Sequence, residues 1–267
     1  MKLSSYNLVM SAVFGGRQGQ RPPVGNPTSI ACHGLMEKAG VSFPTAHLDA
    51  GAMADLAMAG WEVLGFDTVM PEYSVVQEAA ALGAPVDWGD RDKMPDVKAF
   101  PNADFNDIVI PVDFLEKPSC RVVLDAISML RRQVGGRVAI LGKVMGPWTL
   151  SYHMAGTQNF LLTLGMGEKA KVTKMLRQLM PATIAFPLVG MTRVVSIPAV
   201  VVFPVPPLPL AIATLTRGFS QTDQFFVVFA APIPLPRPLP DPPPIPRPAP
   251  RPIRVAASWA PTAASQP

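Results

Sequence analysis

The chain has 267 residues and a mass of 28.5 kDa, enough for one large domain or two small ones. Hydrophobic residues make up 49%, charged residues only 16%, and the formal charge is +4. Two cysteines exclude a disulfide framework and any four-cysteine metal site within one chain. No basic start, apolar run and small-residue cleavage site precede the first element, so no secretory signal is expected and the cytoplasm is the default location.

The unusual number is 32 prolines, and they are unevenly spread. Residues 1–186 hold 12 of them and residues 187–267 hold 20. Lys+Arg and Asp+Glu balance at 17 each in the first part, while the second carries six Arg, two Asp and neither Lys nor Glu, hence the whole +4. Such a change of vocabulary places a boundary near Phe186.

In chain order, the first signal is the Pro, Gly and Asn cluster over 22–27, ahead of a short apolar element. A helix is expected from about His47 to Leu64, followed by a candidate strand at Gly65–Met70. Asp67 and Glu72 near that strand's end are read as solvated or capping carboxylates, with acid–base work as the alternative. Lys117-Pro-Ser119 opens a second helix with Ser119 as N-cap. Val123, Ile127, Leu130 and Val134 form its apolar stripe and Gly135-Gly136 ends it. Arg137–Gly142 has the length and composition of a buried strand. A further helix covers about Glu168–Met180, with Val172, Met175, Leu176, Leu179 and Met180 on one side. Helix and strand alternate over tens of residues, which predicts parallel βα units in an α/β fold.

Beyond Phe186 the pattern changes. Val194–Thr216 carries no charge, but Pro198, Pro204, Pro206, Pro207 and Pro209 interrupt it. At about 3 kcal/mol for each interior proline, no continuous membrane helix is expected there. From Pro232 to Pro252 proline recurs at nearly every second position, with Arg237, Arg247 and Arg251 between, which predicts polyproline II or disorder. Three origins compete for this irregular tail: a docking segment for SH3- or WW-type domains, a linker to a further domain, or a translated wrong reading frame. Six arginines without interleaved aromatic rings are a weak nucleic-acid footprint, so none is expected to bind.

An ordered series of motifs runs through the first part: Val24-Gly-Asn-Pro-Thr-Ser29, Phe43-Pro-Thr-Ala-His-Leu-Asp49, Leu64-Gly-Phe-Asp-Thr68, Gln77–Gly83, Val86-Asp-Trp-Gly89, Lys93-Met-Pro95, Asp113–Lys117 and Gly142–His153. Together they resemble the uroporphyrinogen decarboxylase superfamily, and within it the methylcobamide:coenzyme M methyltransferases. The resemblance covers residues 1–186 and implies the N-terminal portion of a (β/α)8 TIM barrel, with its site at the C-terminal ends of the strands. The remaining residues, 187–267, are expected to form a proline- and arginine-rich tail that does not continue the barrel. That incompleteness favours the wrong-frame origin of the tail.

The resemblance implies that Asn26, Thr28, Ser74, Met145, Gly146, Trp148, Tyr152 and His153 line a substrate site. Read from the residues alone, Trp148 is a packing residue, and Tyr152 and His153 are ordinary polar groups at a helix start. A decarboxylase of this family needs early arginines and an aspartate facing the pyrrole nitrogens. Gly25–His47 contains no arginine, and the position matching the aspartate is Ser74, a neutral hydroxyl.

The methyltransferase branch instead implies a zinc-activated thiol attacking a methyl–cobalt bond, with a corrinoid protein or methylcobalamin as donor. Its zinc ligands are a His-x-Cys pair and a distant Cys. This chain has only Cys32, Cys120, His33, His47 and His153, and none forms that pair. Adjacent Cys32-His33 reads as a buried small residue beside a polar neighbour. The expectation is therefore a methyltransferase by descent, truncated and inactive as given, with no metal ligands of its own and unknown catalytic residues. A tetrapyrrole decarboxylase and a non-enzymatic proline-rich interaction protein are the alternatives.

Overall fold

The computed structural model describes residues 4–13, 21–26, 31–194, 200–202 and 224–229. Thr28 and the arginine–proline run at 232–252 lie outside these residues, as do the docking and linker readings of the tail. All described residues fall within one unit spanning Met1–Pro232.

The first element, α1 (Ser5–Val13), packs Tyr6 and Val9 against a small apolar cluster with Met70, Ala139 and Leu141. Next come α2 (His33–Ala39), α3 (Thr45–Leu48) and α4 (Ala50–Glu62). The single helix expected over 47–64 is thus broken in two. Asp49 is extended and its carboxylate accepts from Ala52 N at 2.8 Å, satisfying one of the orphan donors of α4. An N-cap signal inside an apolar stretch reset the helix there.

The strand expected at 65–70 shrinks to β1 (Thr68–Val69), and α5 (Gln77–Ala81) follows. A hairpin of β2 (Val86–Asp87) and β3 (Asp96–Val97) pairs antiparallel, separately from the main sheet. At its turn Gly89 adopts φ +71°, and a Cβ there would stand 2.0 Å from Lys93 O.

A short 3₁₀ turn (Phe114–Glu116) leads into α6 (Pro118–Val134). The predicted stripe is buried, with Val123, Ile127, Leu130 and Val134 all at 3% exposure or less. Each such side chain contributes about 1.5–3 kcal/mol by leaving water. Ser119 is not the cap: Lys117 occupies that position, Pro118 sits in the first turn, and Ser119 Oγ donates to Gln77 O at 2.8 Å. Gly135 closes the helix as expected.

The predicted strand at 137–142 becomes β4 (Ala139–Met145), buried along its whole length. It pairs parallel with β1, Thr68 opposite Ala139 and Val69 opposite Ile140, as βα units require. Ile140 and Val144 face the main core with Met53 and Leu56 of α4 and Leu124, Ile127 and Leu130 of α6. Three helices follow: α7 (Pro147–Ala155), α8 (Thr157–Gly165) and α9 (Lys169–Val194). Here the structure departs from the expected boundary, because α9 continues through Pro181 and past Phe186. Val172, Met175 and Leu179 are buried, whereas Leu176 and Met180 are half-buried.

Two proline-free runs of the expected irregular tail form strands, β5 (Val200–Val202) and β6 (Gln224–Phe229). Their β-branched and aromatic residues suit a pleated surface, which local composition around them obscured. β6 pairs antiparallel with β4 over six positions, from Ile140 opposite Phe229 to Met145 opposite Gln224. The sheet order is β1-β4-β6-β5, so no closed barrel forms among the described residues. No helix among them is long and apolar enough to cross a membrane.

Candidate functional site

Two sets of side chains meet where β1 and β4 end. The first runs from the last residue of β4 into α7. Met145 is fully buried, Gly146 is extended (φ −65°, ψ 158°), and Pro147 begins α7. Trp148 Nε1 donates to Tyr152 Oη at 2.6 Å, one helical turn away. Both rings meet Phe160 of α8 edge-on, at 5.0 Å from Trp148 and 5.3 Å from Tyr152. Trp148 and Tyr152 are half-buried, so each is both part of the core wall and open on one side.

His153 lies in the last turn of α7, not at a helix start. Its Nε2 is buried with no hydrogen-bond partner among the described residues. Burial pulls its pKa below the ordinary imidazole value, with Asp96 opposing. His153 is consequently the neutral imidazole near neutral pH.

The second set is polar and enclosed. Glu72 and Ser74 follow β1 at alternate positions and are at most 1% exposed. Gln77 and Glu78 of α5 and His47 of α3 are fully buried, and Lys143 of β4 is 4% exposed. By strand alternation Lys143 shares a face with Leu141 and Met145. Hydrogen bonds tie the pieces together. Met145 N donates to Glu78 Oε1 at 2.8 Å, and Gln77 Nε2 donates to His47 O at 2.9 Å.

The electrostatics follow from burial. Glu72 is pushed well above the carboxylate range by burial and by Glu78, with Lys143 pulling back. Glu78 is raised by burial, against the Met145 N–H and Lys143. His47 falls to about 4 through burial and the Lys143 charge. Cys120, at the start of α6, is pushed up by burial and by Glu78 and Glu72, so it stays a thiol and is no nucleophile.

The early loop contributes less. Asn26 is half-buried beside β1, where it lines a cavity of about 20 Å³ with Thr68, Met70 and Tyr73. That volume has room for about one water. Asp67 is neither solvated nor a helix cap. It is buried, accepts Arg21 on both oxygens at 2.6 and 2.8 Å, and also accepts Val24 N at 2.8 Å. Burial raises its pKa, but the Arg21 and Val24 hydrogen bonds outweigh this and hold it below the ordinary value. Glu72 likewise is buried, not solvated.

Cys32 is exposed, and its neighbour His33 pairs with Asp92 at 2.6 Å, which corrects the expected buried cysteine. Among the described residues no three His, Cys, Asp or Glu side chains gather in a group that holds a metal ion.

Of the expected site residues, Met145, Gly146, Trp148, Tyr152 and His153 lie together from the end of β4 through α7. Ser74 lies in the enclosed polar set, and Asn26 lies apart beside β1. Sequence reasoning missed Glu78, Lys143 and His47 as members of one buried set. Lys143 carried the clearest signal, a lone charge inside an otherwise apolar strand.

The family model described as Uroporphyrinogen decarboxylase (URO-D) matches residues 6–189. A methylated-thiol–coenzyme M methyltransferase of Methanosarcina mazei is 36% identical over 151 residues, 56% of this chain and 40% of the relative. The methylcobamide:CoM methyltransferase MtaA of Methanosarcina barkeri is 31% identical over 151 residues, 56% of this chain and 44% of that protein. The matched stretch therefore spans less than half the length of either relative. A solved methyltransferase from Methanosarcina mazei superposes with a TM-score of 0.67 at 24% identity, covering 72% of this chain and 57% of the other. That likeness concerns the fold. The chain belongs to the uroporphyrinogen decarboxylase family.

Proposed function

We propose that this member of the uroporphyrinogen decarboxylase family is a corrinoid-dependent methyltransferase by descent, built to pass a methyl group from a methylcobamide to a thiol. We read it as inactive in that reaction. The observation that carries the reading is the identity of 36% and 31% over 151 residues to relatives named as coenzyme M methyltransferases. A corrinoid protein or methylcobalamin and a small thiol are the corresponding partners, and the cytoplasm the corresponding location.

Zinc would supply a lowered thiol pKa in such a reaction. The residues here do not fit it. Cys32 is exposed beside a histidine already paired with Asp92, and Cys120 is buried with a raised pKa at the start of α6. The sequence contains no His-x-Cys pair. What remains is a platform: Trp148, Tyr152 and Phe160 form an aromatic wall, and the Glu72–Glu78–Lys143 set lies behind the β4 end.

The decarboxylase reading is weaker on one observation. Ser74 is a buried neutral hydroxyl where that chemistry needs a carboxylate. The separating experiment incubates the full chain with methylcobalamin plus coenzyme M, and in parallel with uroporphyrinogen. Neither loss of the methyl–cobalt absorbance nor less-carboxylated porphyrinogens are expected. Reading the encoding DNA in its other frames beyond codon 186 should recover a His-x-Cys motif. Decarboxylation would overturn the branch assignment, and zinc-dependent methyl transfer would overturn the reading as inactive.

A further inference from the structure

Glu78 has a distinctive environment. It sits on α5, fully buried, and spans to the last residue of β4. Its Oε1 accepts from Met145 N at 2.8 Å. Its Oε2 is buried with no hydrogen-bond partner among the described residues. An ionised carboxylate cannot cheaply keep one oxygen bare in a dry interior, because its hydration is lost and nothing replaces it. The same oxygen bearing a proton is a far smaller burden.

We propose that Glu78 is the positioning residue of the loop after β4: a neutral carboxylic acid that fixes the Met145 backbone through Oε1 and carries its proton on Oε2. This rests on reading that loop as the ligand-facing part of the site. It adds a residue and a protonation state that the methyltransferase reading does not contain.

The surroundings support the neutral form. Facing Glu78 are Glu72 from the segment after β1, Lys143 from β4 and Cys120 from α6, with His47 of α3 bonded through its carbonyl to the adjacent Gln77. Lys143 is the only cation among these groups, His47 being neutral, and it stands opposite two carboxyls. Burial raises both carboxyls above their ordinary values. A neutral anchor also fits the direction of the bond, since a carboxylic acid keeps its carbonyl oxygen as acceptor while the hydroxyl oxygen holds the proton.

The purpose of such an anchor is geometric. Met145 is followed at once by Gly146, Pro147 and Trp148, so fixing its N–H fixes where the aromatic wall begins. Ser119 Oγ, donating to Gln77 O at 2.8 Å, ties the start of α5 to α6 and so holds the other end of the brace.

The test uses the full chain with Glu78→Gln, Glu78→Leu and, as a control, Glu72→Gln. Infrared spectra at neutral pH should show a protonated-carboxyl band that disappears in Glu78→Gln, beyond whatever Glu72→Gln removes. Hydrogen exchange at the Met145 amide should accelerate at least about tenfold in Glu78→Leu and stay within about twofold of wild type in Glu78→Gln, whose amide oxygen still accepts. An unchanged infrared spectrum in Glu78→Gln, or equal exchange in the Gln and Leu variants, would overturn the proposal. Should the variants not fold, carbon-13 glutamate labelling of the unaltered chain decides. The carboxyl signal nearest the Met145 amide should hold its protonated shift at neutral pH, and an ionised shift there refutes the idea. Neither readout depends on methyl transfer, so failure of the methyltransferase reading stays distinguishable.

Discussion

Phe160 and its neighbour Leu161 make opposite predictions from adjacent positions on α8. Phe160 is fully buried and stands at 5.0 Å from Trp148, 5.3 Å from Tyr152 and 6.5 Å from Phe105. Phe160→Ala removes the ring against which the aromatic wall rests. A buried Phe→Ala change costs about 3–5 kcal/mol, and aromatic pairs add about 0.5–1.5 kcal/mol each beyond area. With three such partners the loss belongs at the upper end, about 4–5 kcal/mol. For a domain of this size that lowers Tm by roughly 10 °C or more. Leu161 is 46% exposed, and Leu161→Ala should change stability by no more than about 0.5 kcal/mol. Urea unfolding followed by tryptophan emission measures both. A Phe160→Ala loss below about 1 kcal/mol, or an equal loss in the two variants, would refute the assigned packing.

Three further outcomes follow from the same structure. Asp49→Ala should cost about 1 kcal/mol in urea unfolding, because Ala52 N loses its cap and α4 its defined start. Gly89→Ala should cost at least about 2 kcal/mol, since φ +71° is strained for a side chain and Lys93 O must move as well. Asp67 has a depressed folded pKa, so its contribution is present above the unfolded value and is lost as pH falls through the folded one. Unfolding titrations below about pH 4 should thus show a shallower acid limb in Asp67→Asn than in the unaltered chain.

How much of this was legible in the sequence varied with the kind of signal. The α6 stripe and its Gly135 stop were readable because period and punctuation agree there. The parallel pairing of β1 with β4 followed from the alternation of helix and strand. Asp49 was missed as a cap because it sits in an apolar stretch that reads as one helix. The span of α9 past Phe186, and the strands β5 and β6, were hidden by proline counting. Proline density over a long window says little about the short proline-free runs inside it.

The site divided in the same way. Met145, Gly146, Trp148, Tyr152 and His153 are consecutive or one turn apart, so a motif could gather them. Glu72, Glu78, Lys143 and His47 come from four separate segments and meet only through the fold. Their burial, not their spacing, makes them a set. Asp67 likewise needed the exposed Arg21, 46 residues away, to complete a half-buried ion pair.

Metal content and methyl transfer, measured together on the purified full chain, test the central claim most directly. The account predicts substoichiometric zinc after dialysis and no coenzyme M methylation from methylcobalamin above the protein-free rate. One zinc per chain accompanied by methylation would contradict it.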